Sequence, residues 1–124
     1  MTESEWDALV EAFQRPPYSS YRGWTFEYEH PGFFMYYHDS IPFSVYFTPE
    51  WSDDHEIALQ IHDEEGNSLE SESLPFFSNQ PEDLFAIVRQ WLDFTEWNAE
   101  GVEGSVKNWR PTETYKGWKP RHES

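Results

Sequence analysis

Cysteine is absent from the 124 residues. That absence excludes a disulfide framework, thiolate zinc ligation and a cysteine nucleophile. Lysine is almost as scarce, and the three that occur, Lys107, Lys116 and Lys119, all follow residue 104. No apolar run is longer than Phe33–Tyr37, far short of the roughly 20 residues of a membrane-spanning helix. The opening stretch has neither a basic n-region nor an apolar h-region, so no secretory leader is expected and a cytoplasmic address is the default. GxSxG, Walker, GxGxxG and HExxH patterns are all missing, which removes the short motifs that would announce a nucleophile, a phosphate cradle or a zinc site. A non-enzymatic role without a cofactor is the expectation.

What the chain does have is charge of one sign, unevenly placed. Residues 1–104 carry 22 Asp and Glu against Arg15, Arg22 and Arg89, while residues 105–124 carry Lys107, Arg110, Lys116, Lys119 and Arg121 against Glu113 and Glu123. The body is thus at −19 and the tail at +3, which sums to the net −16. A field of that sign repels nucleic acid and anionic membrane and attracts basic partners. Acidity with few lysines is also the composition of proteins from high-salt habitats, which is the bland reading of the same numbers.

Apolar residues make up only 37% of the chain, against roughly 45–50% (glycine included) in ordinary globular domains. Aromatics supply 19%, with seven Trp, seven Tyr and ten Phe. Each ring buries a large area, so a folded body with a core of rings is expected rather than simple disorder.

Two helices and five strands follow from periodicity. Thr2 and Glu5 have capping-box spacing, and Trp6, Leu9, Val10 and Phe13 form one helical stripe. Pro16–Pro17 stops that helix, which is predicted over residues 3–14. Strands are predicted over 24–29, with Trp24, Phe26 and Tyr28 inward, over 33–38, which is apolar on both faces, and over 43–48, 57–62 and 68–73. Only short turns separate them, which favours an antiparallel meander. In the last strand Glu70 and Glu72 are expected to face outward as a charged edge. Pro81, Glu82 and Asp83 suit a helix start, and a second helix is predicted over 81–96. The expected fold is α+β: a five-stranded antiparallel meander with an N-terminal and a C-terminal helix on one face. It comprises an acidic domain over 1–100 and a basic aromatic tail over 101–124, extended or disordered.

Four constellations bear on function. If the helices cover one sheet face, the other carries Glu27, Glu29, Tyr46, Gln60, His62, Glu70 and Glu72. Tyrosine would supply contact area there and carboxylates would complement a basic partner. An ordinary solvated sheet face is the competing reading. Residues 50–103 hold 15 carboxylates against Arg89, a density that raises DNA mimicry, although charge count alone has little specificity. His38, His55 and His62 each neighbour acids and could serve as metal ligands if they converged at one end of the sheet, but no spacing motif supports them. In the tail, Trp109, Tyr115 and Trp118 alternate with cations. They would act as anchors if the tail folds back on the acidic body or a neighbour. A disordered end is the alternative, and direct nucleic-acid binding ranks behind both because the body opposes any polyanion.

The resulting expectation is an acidic protein-binding domain. It would inhibit, neutralise or escort a basic protein such as a nuclease, a toxin or a DNA-binding protein, in the manner of immunity or counter-defence factors. Self-association would run through the outer sheet face or the tail. The alternative is a small metal-dependent protein or enzyme using histidines and carboxylates at the sheet ends.

Overall fold

The computed structural model describes residues 2–30, 32–50, 55–99 and 109, with Glu29 and His30 described by their backbone alone. The elements run α1 (Glu3–Phe13), β1 (Ser20–Tyr21), β2 (Trp24–His30), β3 (Phe33–His38), β4 (Phe43–Pro49), β5 (Glu56–Asp63), β6 (Ser68–Pro75) and α2 (Pro81–Ala99). All six strands form one antiparallel meander in sequence order. The architecture is therefore α+β as expected, with six strands rather than five.

The additional strand, β1, is two residues long. It exists because Arg22 (φ 48°) and Gly23 (φ 90°) both adopt positive φ, the backbone of a two-residue hairpin turn whose twist matches its flanking strands. Tyr21 then pairs with Trp24 and Ser20 with Thr25. Any side chain at position 23 would meet the His38 imidazole. That ring is held in place by accepting the Ser40 N–H at Nδ1 (3.1 Å) and lying 3.2 Å from the Arg22 carbonyl through Nε2.

α1 starts where the capping box predicts. The Thr2 hydroxyl accepts the Glu5 N–H (3.2 Å), and the Glu5 carboxylate accepts the Thr2 N–H (2.8 Å). Hydrogen bonds from the Thr2 backbone and the Asn79 side chain hold the Glu5 carboxyl below its ordinary pKa. Thr2→Ala removes the acceptor for one orphan N–H and is expected to cost about 1 kcal/mol, read as a lowered denaturant midpoint at unchanged m-value.

Both helices lie on one face of the sheet, and the core between them is aromatic. Phe34 of β3 sits at its centre, with ring centroids 5.3 Å from Trp6 and from Phe13 of α1, 5.2 Å from Phe26 of β2 and 5.5 Å from Phe47 of β4. α2 adds Phe85, edge-on to Phe13 at 6.0 Å, and buries Leu84, Val88, Trp91, Leu92 and Phe94. Tyr36 takes its hydroxyl into this core and donates to the Tyr18 carbonyl (2.6 Å). Burial raises its phenol pKa well above the ordinary range.

A polar seam ties α2 to the β1–β2 hairpin. The Tyr21 hydroxyl donates to Asp93 (3.0 Å), the Trp24 indole donates to Glu96 (3.1 Å), and Arg22 pairs with Glu96 (3.2 Å). Desolvation pushes the Asp93 carboxyl up to about 6, with Glu96 adding repulsion, while the Tyr21 hydrogen bond and Arg22 and Arg89 pull the other way. The folded chain thus holds this proton more tightly than the unfolded chain, whose Asp has the ordinary value of about 3.9. The contribution of Asp93 favours the fold below pH 4 and is lost as pH rises from about 4 to about 6. The unscreened shift would correspond to about 3 kcal/mol, which solvent access to this half-exposed group reduces to about 1 kcal/mol. Asp93→Asn keeps an acceptor for Tyr21 and is expected to be more stable than the parent by that amount at pH 7. The two melting temperatures should converge below pH 4.

Candidate outer-face binding site

Antiparallel register decides which side chains share a face, because directly opposed residues point the same way. On the helix-free face, one row runs Glu27–Met35–Tyr46–Gln60–Ser71 across β2 to β6. The next row runs Thr25–Tyr37–Ser44–His62–Ser68. Thr48, Ala58 and Ser73 align beyond the first row.

Four of the expected surface residues, Glu27, Tyr46, Gln60 and His62, therefore share this face. Tyr46 is flanked by the rings of His62 (4.7 Å) and Phe33 (5.7 Å). The His62 Nε2 lies 2.8 Å from the Gln60 Oε1, so with that oxygen as acceptor the ring proton sits on Nε2. Phe33, Tyr46, Thr48, Ala58, Gln60 and His62 line a shallow trough of about 310 Å³. Met35, between Glu27 and Tyr46 in the same row, is only 6% exposed, which gives the face an apolar floor. Its surface is more aromatic and less acidic than the alternation of the strands implied. A second depression of about 530 Å³ runs beside β2, lined by Gln14, Ser19, Thr25, Phe26, Glu27 and Tyr28. Tyr28 is 39% exposed rather than inward. Glu29 falls where the β2–β3 register shifts, between Glu27 and His30, and its side chain lies outside what is described.

Glu70 and Glu72 do not belong to this face. Glu70 ends the row Phe26–Tyr36–Val45–Ile61, and Glu72 ends the row Phe34–Phe47–Leu59. Both rows face the helices. The reason is a β-bulge: the pairing of β5 with β6 shifts between Ile61 and His62, which face Glu70 and Ser68. The shift inserts Leu69 as an extra residue, so Leu69 and Leu74, of opposite parity, both pack against the core. A single alternation through β6 could not accommodate both leucines, and the carboxylates turn inward with Leu74.

The three histidines do not converge. His38 stands opposite Trp24 on the helix-facing side and contacts that indole at 5.1 Å, His62 is on the outer face, and His55 stacks on Phe77 (5.0 Å) at the start of β5. Among the described residues no three His, Asp or Glu side chains cluster as a metal site. Among the described residues, the carboxylates of the 50–103 belt fall on several different elements. Asp63 holds the β5–β6 turn by accepting the Glu65 and Asn67 backbone N–H groups (2.9 and 2.8 Å), and its hydrogen bonds, chiefly that from the Asn67 side chain, depress its pKa. Glu82 and Asp83 lie in the first turn of α2, and Asp93 and Glu96 belong to the polar seam.

Of the tail anchors, Trp109 is half-buried on the helix-facing side. Its ring is edge-on to Phe43 (5.4 Å) and to Phe94 (5.5 Å), and its indole N–H donates to Glu70 (3.3 Å). Tyr115, Trp118 and the extended or disordered tail expected beyond 101 otherwise lie outside the described residues.

Comparison with family models, curated proteins and solved structures gives no match. Among the described residues no helix is long and apolar enough to cross a membrane.

Proposed function

We propose that this chain is a non-enzymatic binding domain that captures a basic protein on the helix-free face of its sheet, and so inhibits, neutralises or escorts it. One juxtaposition carries the reading: a shallow trough lined by Phe33, Tyr46 and Ala58 together with Thr48, Gln60 and His62 lies on a molecule whose net charge is −16. The charge steers a cationic partner from a distance. The trough then supplies what charge cannot, namely a desolvated pocket beside Phe33 and Tyr46 for an anchoring side chain. Gln60, His62 and Thr48 supply polar groups at its margin, and Glu27 offers a carboxylate in the same row as Tyr46.

The test is affinity capture from nuclease-treated native lysate, washed at low and at high salt, with the parent chain and with Tyr46→Ala as bait. A basic protein held by the parent at low salt, shed at high salt and not held by Tyr46→Ala is the expected result. Equal capture by both baits would place the contact elsewhere and defeat the proposal.

A further inference from the structure

Residues 23–88 contain no lysine and no arginine, so strands β2 to β6 carry no cation other than histidine. Carboxylates do stand on their outer face. Glu50, one residue past β4, donates its N–H to the Glu56 carbonyl (3.1 Å), which extends the Pro49–Ile57 pairing by one step. By strand alternation both side chains belong to the face of Thr48 and Ala58. Both residues are half-buried, and neither carboxylate has a hydrogen bond or ion pair among the described residues. Like charges directly opposed across two strands destabilise the pairing, and no lysine or arginine of these strands offsets the repulsion.

This pair adjoins a cavity. The trough beside it is about 310 Å³, at the small end of the roughly 300–1,000 Å³ range of ligand pockets, which is room for one side chain. Tyr46 and Phe33 give it aromatic surface. Its smallest lining residue, Ala58, stands opposite Thr48 in the row next to the carboxylates, and His62 closes the far end, two rows from Ala58. Successive rows of one face are about 7 Å apart. A side chain lying over Tyr46 and pointing away from His62 therefore brings its tip over Ala58, within reach of Glu50 and Glu56.

We propose that the occupant of the trough is an arginine side chain of the basic partner, with its stem and guanidinium against Tyr46 and its charge between Glu50 and Glu56. This rests on the outer-face reading and adds the chemistry recognised there. A guanidinium is planar and stacks on an aromatic face. Its fork of N–H donors serves two carboxylates at once. It is also more weakly hydrated than an ammonium, so entering a half-buried site costs it less. A lysine would meet the carboxylates as a point charge without the stacking. An apolar side chain would fill the trough and desolvate Glu50 and Glu56 further without a counter-charge. A second copy of this chain would bring its own net charge of −16 and is repelled.

Amide NMR titration of the full chain with two capped tripeptides of equal charge, Gly-Arg-Gly and Gly-Lys-Gly, tests this. The expected result is a saturable shift of the Thr48, Ala58 and Gln60 amides by the arginine peptide, with an affinity several-fold tighter than that of the lysine peptide. Glu50→Gln combined with Glu56→Gln should weaken the arginine peptide several-fold and erase its preference over lysine. Ala58→Leu fills the trough from the helix-free face, and should abolish the saturable shifts while its far-ultraviolet spectrum shows that it folds. Equal affinity for the two peptides, shifts spread over the acidic surface without saturation, or undiminished binding by Ala58→Leu would overturn the proposal. The titration needs no captured partner, so the two readings fail separately. A partner lost with Tyr46→Ala, together with an arginine peptide that leaves the trough unshifted, would overturn the arginine inference and keep the outer face.

Discussion

Phe34→Ala is expected to cost about 3–5 kcal/mol, the range for removing a buried phenylalanine from a core that cannot fully collapse around the gap. Phe34 is 0% exposed and its ring contacts Trp6, Phe13, Phe26, Tyr36 and Phe47. Total stability for a domain of this size is about 5–15 kcal/mol, so the substitution removes a large share of it. With an unfolding entropy of about 0.26 kcal/mol/K for this length, the melting temperature should fall by about 10–20 °C. Phe33→Ala is the informative control, because its neighbour in sequence lies on the opposite face, beside Tyr46, and should cost about 1 kcal/mol or less. Calorimetric scans of the two variants decide the matter. Equal losses would contradict the register that separates core from trough.

The second large effect is on binding. Tyr46 is the centre of the outer-face trough, between Phe33 and His62 and beside the apolar Met35. A tyrosine in such a position is the residue type that dominates interface energetics, and truncating a hot spot costs about 2 kcal/mol or more. Tyr46→Ala is therefore expected to weaken the captured basic partner by about 30-fold. The loss should appear almost entirely in the dissociation rate, since short-range packing sets residence time while long-range charge sets encounter. Surface plasmon resonance with the captured partner measures both rates. A variant that binds as tightly as the parent would remove the trough from the interface.

Much of the fold could be read from residue order, for identifiable reasons. α1 carries its own start signal in Thr2 and Glu5 and its own stripe in Trp6, Leu9, Val10 and Phe13, and the structure forms both. α2 follows the same logic from Pro81, although it continues to Ala99, beyond the last residue of its clear stripe. β2 to β6 emerge from alternation and short turns. β1 was not legible, because two residues have no period and the turn that creates the strand places a non-glycine residue, Arg22, at positive φ. The face of β6 was misread for a different reason. Alternation assigns faces only while the register is unbroken, and the bulge at Leu69 breaks it. The same limit applied to β3. Its apolar run announced a strand buried on both sides, but which residues would line the outer trough depended on Met35 facing Tyr46 in the neighbouring strand. The histidines appeared related because each sits next to acids in sequence, whereas strand pleating sends His38 and His62 to opposite faces.

In the proposed function the acidic body acts at long range on a basic partner that then settles on the outer face. That steering depends on Coulombic attraction between exposed groups, which salt screens beyond about 8–10 Å at physiological ionic strength. Association should therefore weaken steeply with added salt, whereas stability should rise with it, because salt screens the self-repulsion of a chain at −16.

The most direct test of the central claim is the association rate constant of the captured basic partner, followed by stopped-flow fluorescence across a range of ionic strengths. Steering by the −16 chain predicts a rate that falls by about tenfold or more from low to high salt, with Tyr46→Ala superimposing on the parent curve. A rate independent of ionic strength would contradict the account, whatever the affinity.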